Sequence, residues 1–472
     1  MKSTLWGSIL TLVLAGCSQP DLRALRDQHA GEEIREFQRR TQTLETPLDL
    51  KTALRLALEG NAEYALMLQR RKIQSETETG ALLDLFPHLY TDAEYRWRSE
   101  LSIASSRAAD SGIQSLESSF SQQRDGKTGS FEVLFSLLDF GISYFRSRQE
   151  RNRGRSFDQQ LRRTRQKLAL DVTRTWWRAV VADQAVEAGS ALGGELEARQ
   201  KVIEDQMAQQ LIPELTGLEI QERLVRSAIR LQSFQNELRK AKTELAALLG
   251  LAPGTQITFP PIPFDQAPRR IEFNVSDLEK EALHQRPELF EEDLQELIAV
   301  DEVRSRFIQL FPNPAGFFGG ETDQNKFLRH QGWYFAGASV AWDLFKIPTK
   351  WSRYQQAQMS EELIRERRMA LAMGVVTQIH LALIEYEDAL KQYQLAANLS
   401  QVRNRRLAAM QDLAIKGELE ETTLLEAESD ALYARLRSMN AHAATLIAVE
   451  RIWNAVGRNP SIHSPKALAP NE

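Results

Sequence analysis

The chain has one cysteine, Cys17, so no intramolecular disulfide can form and a structural thiol has no partner. Its seven histidines, His29, His88, His284, His330, His380, His442 and His463, include no pair at metal-ligand spacing beside a cysteine or a second histidine. There is no phosphate-cradling glycine loop and no nucleophile elbow, and the scattered acidic pairs read as solvated helix faces. Catalysis finds no support, and neither metal nor cofactor is implied. Charge of one sign is lacking too. A formal net charge of −5 with 26% charged residues describes a solvated, helix-rich chain and gives no case for nucleic acid. Past the first residues no stretch approaches the ~18 to 20 apolar residues of a transmembrane helix, so the body is expected to be soluble and tethered or to cross a membrane as strands.

The first residues carry an address. Met1-Lys2 is a short basic start, Leu5 to Leu14 is an apolar run too short to span a bilayer, and Leu14-Ala15-Gly16-Cys17 follows. This resembles a bacterial lipoprotein signal, the alternative being an ordinary secretory signal with an incidental cysteine. The resemblance implies a signal peptide over 1–16, with covalent lipid on Cys17 after cleavage. Ser18 is not the aspartate that often holds such lipoproteins at the inner membrane, so outer-membrane delivery is favoured. Residues 17–47 are polar, without a clear period, and are expected to form a lipidated tether.

The rest of the chain contains itself twice, over 48–250 and 275–457, around a proline-rich segment at 251–274 and before a polar tail at 458–472. Ala57-Leu58 answers Ala282-Leu283, and Leu85-Phe86-Pro87 answers Leu310-Phe311-Pro312, both 225 residues apart. Leu137-Leu138 answers Leu344-Phe345, Leu218-Glu219 answers Leu425-Glu426 and Gly250 answers Gly457, all 207 apart. One loop of the first copy is therefore 18 residues longer than its partner. A unit of this size is too long for a solenoid repeat. It suggests one chain contributing two similar sectors to a symmetric assembly.

Each copy opens with helical spacing (Leu50, Leu54, Ala57-Leu58, Ala65 and Leu68 in the first), expected to continue to about Asp84 and to end at Pro87. The period then becomes two. Leu89, Thr91, Ala93, Tyr95 and Trp97 alternate with Tyr90, Asp92, Glu94, Arg96 and Arg98, and Phe131, Val133, Phe135 and Leu137 alternate with polar residues. Both runs have about the ~9 to 11 residues of a membrane-crossing strand, although a soluble hairpin with one face on a core reads the same way. In the second copy Ala338, Val340, Trp342 and Leu344 repeat the device, while Pro314, Gly316, Gly319 and Gly320 interrupt the strand expected after Pro312. A long helix over 142–209 and its counterpart over 350–411 follow, each with a return helix, at 215–249 and 421–456. Segment 251–274, with Pro253, Pro260, Pro261, Pro263 and Pro268, reads as a linker or a girdle across these helices.

Four strands cannot close a barrel, and open strand edges are not tolerated in hydrocarbon, so copies of the chain must pool theirs. At this point the residues resemble the TolC-like outer-membrane efflux proteins. The carriers are Leu54-Arg55-Leu56-Ala57-Leu58-Glu59-Gly60-Asn61 echoed by Ala282-Leu283-His284-Gln285-Arg286-Pro287-Glu288-Leu289, the prolines Pro87 and Pro312, the exits Leu137-Leu138-Asp139-Phe140-Gly141 and Trp342-Asp343-Leu344-Phe345, and the hairpin Lys416-Gly417-Glu418-Leu419. The resemblance implies a mainly α fold with a small β-barrel section. In it a homotrimer pools four strands per chain into a twelve-stranded outer-membrane barrel, continued by a periplasmic α-helical barrel. It further implies an exit duct for drugs, metal ions or polypeptides, docked by a periplasmic adaptor onto an inner-membrane pump or an ABC transporter. An exit channel of type I protein secretion shares that fold. A periplasmic coiled-coil spacer lipoprotein without a pore is the alternative of another class.

The resemblance makes the two helix hairpins the periplasmic tips, with Gln210, Pro213, Gly417, Glu418, Glu420 and Glu421 as candidate entrance and adaptor residues. Gln210 departs from the family pattern, which has glycine there. Glu418, Glu420 and Glu421 would triplicate into an acidic ring, or else are a solvated helix start favoured by the dipole. Asp92, Glu94, Arg96, Arg98 and Glu132 are expected to face the pore, and their mixed signs argue against strong ion selectivity. Trp97, Trp333 and Trp342 are candidate membrane-interface aromatics, with Tyr334 beside Trp333, whereas Trp176 and Trp177 read as packing residues.

Overall fold

The computed structural model describes residues 21–40, 46–105, 107–114, 117–264, 266–418 and 421–458. Helices dominate: α1 (Leu22–Arg40), α2 (Leu50–Gly60), α3 (Ala62–Leu83), α4 (Leu137–Ala208), α5 (Glu214–Leu248), α6 (Val275–Gln285), α7 (Pro287–Ile308), α8 (Ile347–Ile415) and α9 (Glu421–Val456). Strands β1 (His88–Trp97), β2 (Asp125–Ser136), β3 (Asn313–Asp323) and β4 (Gly332–Ala341) form one antiparallel sheet in chain order, and a 3₁₀ turn at Leu344–Lys346 leads into α8. The mainly helical class with four strands is the one expected. Within the segment expected as a polar tether, Leu22–Arg40 is helical, because Leu, Ala, Arg, Glu and Gln dominate α1 and all favour helix. None of its residues is buried, which is why no apolar period announces it.

The duplication extends to individual hydrogen bonds. Asp49 caps α2 by accepting from Thr52 N at 2.9 Å, and Asn274, 225 residues on, caps α6 by accepting from Ser276 N at 3.1 Å. Neither copy opens with the continuous helix expected over 48–84; each breaks, at Asn61 and at Arg286, again 225 apart. Arg286 precedes Pro287, whose ring bars it from the helical region, and Asn61 instead caps the next helix by accepting from Tyr64 N at 3.0 Å. Asn61 Nδ2 donates to Leu248 O at 3.1 Å and an Arg286 guanidinium nitrogen donates to Ala455 O at 2.9 Å, two carbonyls 207 residues apart that lack intrahelical donors. The return helices end alike, with Leu251 N bonded to Ala246 O (2.8 Å) and Arg458 N to Trp453 O (3.1 Å).

The chain divides into two compact units. The first comprises residues up to 66, 163–286 and 375 onward. Its main core joins Leu48, Leu54 and Ala57 to Leu168, Val172, Trp176 and Val180 of α4 and to Leu245 and Leu249 around the end of α5. Trp176 Nε1 donates to Leu48 O at 2.9 Å, so this tryptophan packs as expected. The segment after α5 packs on this core: Ile257 is buried in it, Phe259 meets Trp176 edge-on at 6.3 Å and Phe264 meets Trp177 at 6.2 Å. Farther along, Leu192, Leu196 and Ile203 of α4 pack with Ile220 and Leu224 of α5 and Leu425 of α9.

The second unit comprises 67–162 and 287–374 and holds the sheet. Strand β2 ends one residue earlier than expected, because Ser136 Oγ accepts from Asp139 N at 3.1 Å and so starts α4 at Leu137. In the same unit, acidic α7 is matched by α8 through Arg365 and Glu296 (3.0 Å), Arg367 and Glu292 (3.0 Å), and Arg368 and Glu296 (2.9 Å). Asp301 is buried beside Arg148 at 3.2 Å, and burial pushes its carboxyl up against the pull of Arg148 and Arg304.

Two expectations are corrected. The interrupted strand after Pro312 is a full central strand, β3, paired along its length with β2 and β4. Its glycines give room to rings on neighbouring strands: a Cβ on Gly319 would stand 2.6 Å from Phe335 Cζ and 2.6 Å from Phe131 O. Apolar stretches were also passed over, since α8 holds a window long and apolar enough to cross a membrane by length and composition. Val375, Ile379, Ala382 and Tyr386 in that region are buried along one face, while Met369, Met373, Leu381 and Ile384 are exposed within the chain.

Candidate functional site: a two-faced sheet and two hairpin turns

The register sorts the sheet into two surfaces, because directly paired residues share a face. On one face the rows are Leu89, Val133, Phe318 and Ala336, then Thr91, Phe131, Gly320 and Tyr334, with Tyr95, Trp97, Phe135 and Val340 at neighbouring levels. Phe131, Phe318 and Tyr334 cluster there with ring centroids 6.1 to 6.5 Å apart. This face is mainly apolar, with Lys127 and Asp125 at the end where they pair with Tyr95 and Trp97. The other face carries the rows His88, Leu134, Phe317 and Gly337, then Tyr90, Glu132, Gly319 and Phe335, then Asp92, Ser130, Glu321 and Trp333, then Glu94, Thr128 and Asp323.

Asp92, Glu94, Arg96 and Glu132 thus share a face, as expected, while Arg98 lies just past the strand. Glu321 and Asp323 join them, which sequence reasoning missed because β3 read as weak. The balance is therefore acidic and not mixed. Five strand carboxylates stand against Arg96, and Arg96 is bound to Glu94 through Nε at 3.0 Å and a terminal nitrogen at 2.8 Å.

The three tryptophans separate. Trp97 ends β1 on the apolar face, and Trp333 lies near the same end of the sheet but on the acidic face. Tyr334, 77% exposed, takes the apolar side at that level. Trp342 follows β4 at the opposite end, where Nε1 donates to Leu310 O at 3.3 Å. The long loop after β1 is tied to the short loop after β3 by Asn325 Nδ2 donating to Ser121 O (2.8 Å) and by Phe120 edge-on to Phe327 (5.4 Å).

The hairpin turns share a backbone pattern although their residues differ. Gly417 has φ +73°, with Gly417 N bonded to Ala414 O and Glu418 N to Leu413 O, both at 3.0 Å. Gln210, 207 residues earlier, has φ +55° with the matching bonds to Met207 O (3.0 Å) and from Leu211 N to Gln206 O (2.9 Å). It occupies the glycine's place and its left-handed backbone, a conformation costly for a side chain. Pro213 then precedes the first turn of α5 with no side-chain cap. Glu418 is exposed, Glu421 is the first residue of α9, and Glu420 and Cys17 lie outside the described residues. Near this end of the first unit, α5 and α9 are tied by Arg223 to Glu426 at 3.0 Å and Arg230 to Asp430 at 3.2 Å. Among the described residues no group of three or more His, Cys, Asp or Glu gathers as a metal site.

No protein-family model matches the chain, and no curated protein does. Solved structures match over most of both chains. The open-state MtrE outer-membrane channel of Neisseria gonorrhoeae has TM-score 0.68 and 15% identity, covering 87% of this chain and 89% of that one. The Campylobacter jejuni CmeC outer-membrane channel has TM-score 0.67 and 14% identity, covering 89% and 88%. The Vibrio cholerae outer-membrane protein VceC has TM-score 0.66 and 13% identity, covering 87% and 96%. At such identities the likeness is one of architecture: the chain has the fold of the TolC-like outer-membrane channels.

Proposed function

We propose that three copies of this chain form the outer-membrane exit duct of a tripartite efflux system, exporting small molecules handed on by a periplasmic adaptor and an inner-membrane pump or ABC transporter. The observation that carries the reading is the sheet, with one apolar face, one carboxylate-bearing face, and β1 and β4 as edges open within the chain. Open edges are intolerable in hydrocarbon and four strands cannot close, whereas three sheets supply twelve strands around a polar lumen.

The helices support contact with further copies of the chain. Leu425 packs on Leu192 and Leu196 within the chain, yet the counterparts of Leu425 and Leu192, Leu218 and Leu399, are 50% and 39% exposed. Ile229, counterpart of the buried Leu436, is 64% exposed. Repeating the intrachain contact between neighbouring chains covers these residues, and such a head-to-tail contact closes into a ring.

In this reading Trp97, Tyr334 and Trp342 meet the bilayer interfaces, Trp333 faces the lumen, and lipid on Cys17 anchors the chain. Gln210, Pro213, Gly417, Glu418, Glu420 and Glu421 form the entrance offered to the adaptor. The test is the native mass of protein extracted from outer membranes in mild detergent. A discrete particle of three chains is expected; a monomer, or release by salt alone, overturns the reading.

A further inference from the structure

The acidic face of the sheet has two unlike halves. Its β1 and β2 side is mainly polar, with Asp92, Glu94, Glu132, Ser130 and Thr128 beside a stacked His88 and Tyr90 pair and Leu134, whereas its β3 and β4 side carries Phe317, Phe335 and Trp333 beside Glu321 and Asp323. The two phenylalanine rings do not point away from the sheet. Phe335 Cζ lies 2.6 Å from where a Cβ on Gly319 would stand, and Phe317 Cζ lies 2.4 Å from that of Gly337, so glycine on the neighbouring strand lets each ring lie down on the backbone. The two ring centroids are 6.2 Å apart, and Trp333 continues the column two residues farther along β4. Carboxylates stand at the same levels: Glu132 in the row of Phe335, and Asp92 and Glu321 in the row of Trp333.

We propose that this half of the face is a transient docking surface for planar organic cations in transit. The proposal rests on the duct reading, which makes the acidic face the lumen. Two features on the page select that occupant. The five strand carboxylates outnumber the cations near them, Arg96 held by Glu94 and Arg98 and Arg124 just beyond the strands, so the face attracts positive charge and repels anions, a property that serves any small cation. The aromatic column adds what an inorganic ion cannot use, π-faces on which an apolar cation stacks, and ring quadrupoles attract its charge within about 6 Å. The phenylalanine rings lie flat and leave the bore wide, so an occupant reduces the current only while it is bound and then moves on. The competing account is that the rings only fill space above glycines. Leucine would do that equally well.

The experiment places the detergent-purified full-length protein in planar bilayers and records potassium current with ethidium, a planar organic cation, or fluorescein, an anion of similar size, on one side. Ethidium is expected to cause brief interruptions whose frequency rises with concentration, and fluorescein none. A Trp333→Leu, Phe335→Leu double variant keeps apolar volume over Gly319 and is expected to shorten the ethidium dwell time about fivefold or more while leaving potassium conductance unchanged. An unchanged dwell time, or equal interruption by fluorescein, overturns the proposal. If the double variant does not assemble, Glu321→Gln decides, since this near-isosteric change should raise the ethidium concentration for half-block at least about twofold, and an unchanged value overturns it. A wild-type protein with no conductance at all overturns the duct reading, and the docking surface falls with it.

Discussion

Removing the Arg286 guanidinium should destabilise the first unit far more than removing the Asn61 amide, although the two residues occupy equivalent places in the duplicate. Arg286 is 2% exposed. It donates to Ala455 O at 2.9 Å, to Asn454 O at 3.4 Å and to Gln378 Oε1 at 2.8 Å, so one cation satisfies the last turn of α9 and holds α8. Hydrogen bonds from a charged group contribute about 1.5 to 3 kcal/mol each when the partner is left buried, and such bonds within one network are not additive. Arg286→Met, which keeps much of the volume and removes every donor, is therefore expected to cost ~3 to 5 kcal/mol. Asn61→Ala removes one bond to Leu248 O and one helix cap, about 1 to 2 kcal/mol together. The assay is the urea midpoint of helical circular dichroism for the two variants and wild type in the same detergent at one protein concentration. If Arg286→Met unfolds with wild type, or Asn61→Ala proves the more damaging, the claim that the second copy hangs its return helix on this arginine is wrong.

Other outcomes follow from the same geometry. On the proposed duct reading, Gly319→Ala should nearly abolish assembled protein in membranes, since its Cβ would meet both Phe131 O and Phe335, whereas Gly316→Ala, with nothing within 4 Å, should assemble normally; the yield of heat-sensitive oligomer on gels distinguishes them. Gln210→Gly should relieve backbone strain and slow amide exchange in its turn, while Gly417→Ala should cost about 1 kcal/mol and speed exchange in the other. Burial holds the His442 imidazole below its usual 6.5, edge-on to Phe264 and Tyr393, so the fold favours the neutral ring. Its contribution to stability is present above pH 6.5 and lost as pH falls from there toward the lower folded value; His442→Phe should flatten that part of a pH series of unfolding midpoints.

Most of the fold is legible because duplication supplies two readings of each element. Constant spacings of 225 and 207 locate one loop as the variable part, and the matched caps at Asp49 and Asn274 and matched breaks at Asn61 and Arg286 keep those spacings. The breaks themselves escape a periodicity argument, since the apolar pattern runs through Asn61 unaltered and only its hydrogen bonds reveal the stop. α1 escapes for the opposite reason, having no buried face to imprint a period. At the hairpins the sequence shows Gln210 where glycine is wanted and leaves the geometry open; the backbone bonds decide that the turn is kept and the side chain bears the strain.

The acidic face was the least legible part, and the reason is general to strand proteins. Side-chain alternation assigns faces only within a strand, so the sign of a sheet surface depends on how strands are registered against one another. β1 alone shows Asp92, Glu94, Arg96 and Arg98 and looks balanced. Pairing through β2 brings Glu132 level with Tyr90, and pairing through β3 adds Glu321 and Asp323, shifting the balance to acid. One of the residues that hid β3, Gly319, and a glycine of β4, Gly337, made this possible. Gly319 admits the Phe335 ring beside Glu132, and Gly337 admits Phe317, so a strand that propensity rules score as interrupted is the one that sets carboxylates and rings side by side. A glycine within a run of aromatic neighbours therefore signals a seat for a ring as readily as a break in a strand, and sequence alone becomes decisive only when the partner strand is known.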